Sequence, residues 1–408
     1  MKARYFFYPF LSLFSVAMFA SCSLSVPKEG DIIEDSAFRS VDLRIIEKTK
    51  GTVMSLGDLM ESYEIIRLDN RDEALIKTYP YGVYVTDNYI LLRPADVVSP
   101  VKLFTRKGRY VADIGGVGQG PGEYLYLFSW LVDEKENRIY LGPGRTDKVL
   151  VYDLKGNYLP DEVIRFGEIV HKSQIWVDYD KKNVVVVTLP FSANVNSNFA
   201  ISKNVCWVQN REGDIVHRIP VNHYGLIGDY SNALVARRNV DAISFSISEV
   251  PMLRTRPDTL YHYDAVKNII TPCFTIDHVV SENQSASTVL YETSRSYWAY
   301  VTLYPNDISS SAFSVRLTTF NVCVSKKDGN VRRIDRFTDP LLGLSHLFLM
   351  MNNGYICISY DPLELMDALD KVLTQTDLEP DVRKRATDLR NSLHENDNDI
   401  LIIGKLKQ

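Results

Sequence analysis

The stretch Gly115 to Tyr124, GGVGQGPGEY, combines residue types and spacing that could do chemistry. Gly115, Gly116, Gly118, Gly120 and Gly122 supply closely spaced backbone N–H groups, interleaved with Gln119 and Pro121 and closed by Glu123 and Tyr124. Such a run cradles a phosphate when it leads from a strand into a helix, and a Walker loop adds Lys-Ser/Thr after its glycine. Here Gly122 is followed by Glu123 and a Tyr/Leu/Phe run that reads as strand. The first reading is therefore a strand-to-strand crossover, in which glycine permits positive φ and Pro121 stiffens the turn. Gln119 and Glu123 could still rim a site.

A second set is polar and charged: Arg93 with Asp96, Arg145 with Asp147, Asn194 with Asn196, and Arg254 and Arg256 with Asp258. Guanidinium forks beside carboxamides and carboxylates suit oligosaccharide hydroxyls or an anionic sugar, and Trp298 or Tyr304 could add a stacking surface. An ordinary polar surface produces the same pattern. Catalytic signals are thinner. His171, His217, His223, His262, His278, His346 and His394 show no H-x-x-x-H or H-E-x-x-H spacing, and no G-x-S-x-G elbow occurs. The run ENDNDI (395–400) clusters oxygen ligands of the kind calcium needs, but reads first as a polar loop. No catalytic residue is assigned, and neither cofactor nor metal is expected. Cys206, Cys273, Cys323 and Cys357 sit singly inside apolar alternating stretches, the pattern of free buried thiols.

The elements that must position these residues repeat. One series of hairpins reads VKLFTRKGRYVADIG, VLVYDLKGNYLPDEVI, VCWVQNREGDIVHRI, LYHYDAVKNIITPCF and NVCVSKKDGNVRRIDRF, with turns at Gly108, Gly156, Gly213, Lys267 and Gly329. A second series interleaves with it, turning near Asn88, Asn137, Asn183, Asp241, Arg295 and Asn353. Two hairpins per period of roughly 50 residues make the four-stranded blade of a β-propeller, and six units are visible. The expected fold is all-β, a six-bladed propeller of antiparallel blades. SYEIIRL (62–68) lacks a partner upstream and DILIIGKLK (399–407) one downstream, so their pairing would close the ring and remove two sheet edges.

With strands lettered a to d from the axis outward, the regular a–b and c–d turns lie on one face. The variable b–c and d–a connections lie on the other, including the crossover and the polar set above. Residues about 361–398 form an insert in the last blade. Leu363, Met366, Leu369 and Leu373, then Val382, Ala386, Leu389 and Leu393, fall at helical spacing and predict a helix pair. Irregular loops on one face of a rigid scaffold are where binding is usually placed.

Residues 1–21 read as a secretory signal: Lys2 and Arg4, an apolar stretch, then small residues before Cys22. Phe19-Ala20-Ser21-Cys22 resembles a bacterial lipobox, whose cysteine carries lipid. Without Lys2 and Arg4 the chain holds 44 basic against 51 acidic residues, a charge of −7, which offers no broad basic field for nucleic acid. Residues 22–60 are expected to be the lipidated cysteine and a linker, and 61–408 the propeller.

The glycine motif, following VKLFTRKGRYVADI and preceding LVDEKENRIYLGPGRTDKVLVYDLKGNYL, resembles the six-bladed β-propeller lipoproteins of Bacteroides-type bacteria, themselves similar to NHL-repeat propellers. The match is strongest over roughly residues 62–166. The resemblance implies a propeller with a helical insert in its last blade and a place in the cell envelope, on the outer membrane at its periplasmic or surface face. It implies no common activity. The function expected is therefore non-enzymatic: membrane attachment through Cys22, and capture of a glycan, peptide or partner protein at the loop-rich face. Two alternatives are a carbohydrate-active lyase or hydrolase with its site at the axial mouth, and a structural subunit of an envelope complex.

Overall fold

The alternating segments pair as their spacing requires. The computed structural model describes residues 38–408 apart from 97, 179–181, 194–200, 252–253, 278–283 and 306–316. The expected signal segment (1–21), Cys22, Asn194, Asn196 and His278 lie outside the described residues. Six antiparallel sheets, blades I to VI, follow one another along the chain. Blade I stacks Pro80–Val85, Tyr89–Pro94, Val101–Thr105 and Tyr110–Ile114, from the inner strand outward. Blade II stacks Leu127–Asp133, Arg138–Pro143, Arg145–Asp153 and Ile164–His171, and blade III Gln174–Asp178, Asn183–Val187, Asn204–Asn210 and Ile215–Pro220.

Burial explains the strand composition. Val184 to Val187 and Val205 to Val208, in the middle strands of blade III, are all buried because neighbouring blades cover both faces of each sheet. The outer strand of the same blade leaves Ile215 and Val216 exposed. The c–d turns place a left-handed residue at Gly108, Gly156, Gly213, Asn268 and Gly329. In blade IV the left-handed position is Asn268, one residue beyond the expected Lys267, an amide being tolerated there where a long side chain is not.

The ring closes between chain ends. The C-terminal strand Ile400–Lys405 is third in blade VI, and β3 (Glu64–Arg67) supplies its outermost strand, antiparallel, with Glu64 opposite Ile403 and Arg67 opposite Ile400. The polar run before that strand serves the same seam. Asn398 Nδ2 donates to the carbonyls of Asp69 (2.8 Å) and Ala74 (2.9 Å), and Asn70 Nδ2 donates to Asp397 Oδ1 (2.8 Å).

Residues 39–59 correct the expected linker. β1 (Arg39–Asp42) adds a fifth strand, parallel, to the outer strand Ile269–Asp277 of blade IV, and β2 (Thr52–Ser55) does the same to Val331–Thr338 of blade V. Helix α1 (Leu43–Lys48) follows β1, capped by Asp42, and α2 (Leu56–Leu59) follows β2, capped by Ser55. Leu43, Ile46, Met54 and Leu56 are buried, so this segment wraps blades IV, V and VI in turn and covers two open sheet edges. The helix pair of the insert is α3 (Pro362–Leu373) and α4 (Pro380–Asn391). Its apolar face is turned from the expected stripe: Leu365, Leu369 and Val372 pack on Leu342, Leu344 and Ile402, while Leu363 is exposed.

Candidate functional site

The glycine crossover joins the outer strand of blade I to the inner strand of blade II, on the face of the b–c loops. Gly116–Val117 runs parallel to Glu123–Tyr124, with Gly115 and Gly122 at φ of 67° and 75°. Glycine is required at both. A Cβ on Gly115 would meet the Tyr152 hydroxyl at 2.7 Å, and one on Gly122 would meet the Tyr158 ring at 2.7 Å. The Tyr124 hydroxyl accepts from Val101 N (2.9 Å) and donates to the Ile114 carbonyl (3.1 Å), fastening the crossover to blade I. Glu123 Oε2 accepts from Gly120 N at 2.7 Å. The loop thus curls around its own carboxylate, and the place an external anion would take is filled.

Arg93, at the end of the second strand of blade I, is 5% exposed. Its guanidinium carbon lies 4.2 Å from the Tyr81 ring centroid, 5.0 Å from Tyr126 and 5.6 Å from Trp130. Tyr81 and Trp130 meet edge to face at 6.1 Å. Burial pulls the Arg93 pKa below its ordinary value. Its Nη1 is buried with no hydrogen-bond partner, and Arg93 makes no ion pair among the described residues. Asp96, three residues on, is engaged elsewhere: it accepts from Thr78 Oγ1 (3.0 Å), Val98 N (2.9 Å), Ser99 N (2.5 Å) and Ser99 Oγ (2.9 Å). Desolvation would raise this carboxyl, but those bonds outweigh it and hold the pKa below the ordinary value. A cavity of about 10 Å³ lies between Arg93, Asp96, Ser99, Tyr124 and Tyr126, room for about one water.

The remaining members of the polar set lie on other blades. Arg145 and Asp147 are exposed at the start of the third strand of blade II. Arg145 is registered opposite His171, whose pKa is pressed down to about 4 by burial and by the cations Arg145 and Lys172. Arg254 and Asp258 meet each other at 3.5 Å. Asp258 also accepts from Glu249 N (3.1 Å) and Thr288 Oγ1 (2.7 Å), and Arg256 donates to the carbonyls of His223 (2.5 Å) and Tyr224 (2.6 Å). These groups tie their own loops. Trp298, expected as a stacking surface, is 1% exposed and lies parallel to Tyr291 in the core between blades V and VI, which corrects that expectation. A flat apolar ring on a middle strand is covered on both sides by neighbouring sheets.

Two features escaped the sequence reading. One is the aromatic group Tyr81, Tyr126 and Trp130, signalled by the tyrosine-rich entries to the first two inner strands, YPYGVYV and YLYLFSW. The other is residues 236–242, the a–b connection of blade IV, whose counterparts span only 86–88, 134–137, 293–295 and 353–354. Instead of a tight turn, this segment bridges other blades across the axis. Asn239 Nδ2 donates to the carbonyls of Glu292 (3.0 Å, blade V) and Met351 (3.2 Å, blade VI), and its Oδ1 accepts from Gly354 N (3.1 Å). Arg238 lies 4.6 Å over the Trp176 ring of blade III and donates to the Ile175 carbonyl.

One acid–base cluster away from the loop-rich face is internally compensated. Glu292, with its side chain 0% exposed, joins His262 Nε2 at 2.5 Å and Lys326 Nζ at 2.5 Å. Burial would raise the Glu292 carboxyl, yet the bond from His262 and the charge of Lys326 bring it down to about 2. Burial would likewise lower His262, but hydrogen bonds to Cys273 and Glu292 hold it up at about 10. Cys206, Cys273, Cys323 and Cys357 are free and buried. Among the described residues no group of three or more His, Cys, Asp or Glu is placed to hold a metal.

Comparison with solved structures agrees with this architecture. A protein of Bacteroides fragilis NCTC 9343 assigned as exported superposes with a TM-score of 0.58 at 16% identity, over 91% of this chain and 100% of that one. A member of the duf4221 family from Bacteroides vulgatus ATCC 8482 gives 0.41 at 8% identity, over 86% and 97%. A GH74 enzyme of Niastella koreensis gives 0.34 at 13%, over 70% and 36%. The first similarity shows a shared fold, and the other two carry no weight for function. No protein of curated function matches the sequence. The profile of one family covers residues 40–405, nearly the whole described propeller, and the chain therefore belongs to DUF4934, a domain of unknown function.

Proposed function

We propose that this chain is a lipid-anchored envelope protein that binds a glycan, peptide or partner protein at the loop-rich face of its propeller, without catalysing a reaction. The observation that carries the reading is Arg93, a nearly buried cation on that face, set among three aromatic rings, with one nitrogen unpartnered and no ion pair among the described residues. A desolvated charge is costly, and a site keeps one where a ligand supplies what the protein does not. The lipobox-like Phe19 to Cys22 and the fold shared with an exported Bacteroides protein support an envelope location.

The enzyme alternative draws no support from Glu292 and His262, because Glu292 is fully buried and its charge is already met by His262 and Lys326. A thermal-shift screen of the chain without residues 1–22 against glycans, peptides and small molecules tests the proposal. A ligand at 100 times its Kd adds about 2.7 kcal/mol of apparent stability. The absence of a shift across a broad library would move weight to the structural-subunit alternative.

A further inference from the structure

We infer that Tyr81, Tyr126 and Trp130, backed by the guanidinium of Arg93, form a binding site for an anionic sugar, a saccharide carrying carboxylate or sulfate. This rests on the binding reading above and adds to it the place and the sign of the ligand.

The rings provide the saccharide surface. Tyr81 is 46% and Tyr126 42% exposed although both flank a buried cation. Exposed aromatic faces grouped at one mouth offer flat apolar area to the C–H face of a pyranose at little entropic cost, since each ring has only two side-chain torsions to fix. Tyr126 is held where it stands: a Cβ on Gly144 would meet its ring at 2.8 Å, so the glycine makes room for the tyrosine.

The charge behind the rings sets the sign. Arg93 is within 4.2 to 5.6 Å of all three centroids and forms no ion pair among the described residues, its one acidic neighbour, Asp96, standing across the small cavity and bound to Thr78 and Ser99. Arg237 lies on the a–b connection of blade IV, away from the b–c loops, and is no part of this aromatic group. A guanidinium with no ion pair among the described residues, set behind an aromatic mouth, selects an anion.

The test is calorimetric titration of the full chain in detergent with four probes: trigalacturonate (carboxylate), a κ-carrageenan tetrasaccharide (sulfate), cellotriose (neutral) and triglutamate (anionic peptide). One or both acidic saccharides should bind, the pair distinguishing carboxylate from sulfate, and affinity should fall as salt is raised. Tyr126→Ala and Tyr81→Ala should each weaken that binding roughly tenfold or more, and Arg93→Met should abolish the preference over cellotriose. The tyrosine variants keep the test decisive where Arg93→Met fails to fold. Equal binding of cellotriose or of triglutamate overturns the inference, as does acidic-sugar binding that both tyrosine variants leave unchanged. In those cases ligand capture at the face survives. If no acidic sugar binds while the thermal screen finds another ligand, this inference alone fails. If nothing binds in either experiment, both fail.

Discussion

Glu292 and Arg93 are both withdrawn from water, and the propeller treats them in opposite ways. Glu292 sits between blades IV and V with His262 and Lys326 each at 2.5 Å, so its charge is compensated twice. Arg93 sits between blades I and II against aromatic faces, with one nitrogen unpartnered and its neighbour Asp96 spent on Thr78 and Ser99. The glycine crossover beside it follows the first pattern, since Glu123 fills its own loop. The lesson is that two buried charges can be met in opposite ways, one by ion pairs between blades and one by aromatic faces alone, and it is the second that the binding proposal rests on.

That contrast can be broken most sharply at Glu292. Glu292→Ala leaves His262 and Lys326 without their buried partner and should cost about 3–5 kcal/mol in urea unfolding. A loss below about 1 kcal/mol would mean the triad is not structural.

The pH profile of the same triad gives the next largest effect. With its folded pKa lowered to about 2, Glu292 contributes stability above its ordinary pKa that is lost as pH falls through the acid range toward 2. With its pKa raised to about 10, His262 contributes stability below its ordinary value that is lost as pH rises toward 10. The triad's contribution to unfolding free energy should therefore crest between about pH 5 and 6.5, and Glu292→Ala should remove both flanks of that contribution, a few kcal/mol, on the order of 1.4 per pKa unit. An unchanged profile in the variant would assign the flanks to other groups.

Asp399 sharpens the contrast from a third direction. It is 5% exposed at the ring seam, with Ser359 Oγ donating to it at 2.9 Å, and burial together with the nearby carboxylates Asp361 and Glu364 pushes its pKa up to about 7. Because the folded state holds that proton more tightly than the unfolded chain, the Asp399 contribution to stability is present below about pH 4 and is lost as pH rises to about 7. Asp399→Asn should raise the melting free energy at pH 8 by about 1–3 kcal/mol and have little effect at pH 4. A destabilised variant at pH 8 would show that the ionised carboxylate is needed.

The smallest effect belongs to Arg93. Replacing an uncompensated buried cation with an apolar side chain of similar length forfeits no ion pair, so Arg93→Met should leave the unliganded protein within about 1 kcal/mol of the parent in thermal melts. A loss like that of Glu292→Ala would place Arg93 among the structural charges and erase the difference between the two regions.

Much of the scaffold was legible because its signals are local and repeated. Each blade restates the same alternation and the same turn, so six units could be counted, and the unpaired runs 62–68 and 399–407 announced the closure that β3 and Ile400–Lys405 make. β1 and β2 were hidden because RSVD and TVMS are four-residue strands with no alternation of their own. They become strands only by lying along a blade edge that already exists. The rotation of the α3 stripe, with Leu363 exposed and Leu365 buried, has a similar cause: several apolar positions fit helical spacing, and the surface beneath chooses among them.

The candidate site was less legible, and Arg93 shows why. In the sequence it is one of several arginines near loop ends. Burial at 5% and three rings within 5.6 Å are consequences of where blades I and II meet. Trp298 erred in the other direction, since its place on a middle strand is not visible until the blades stack. The sequence by itself determined the period, the turns, the closing pair and the helical insert, all of which depend on neighbours along the chain. Tertiary structure alone decided which charges are paired, which rings face solvent and which segment crosses the axis, because those depend on distances between blades that no local pattern encodes.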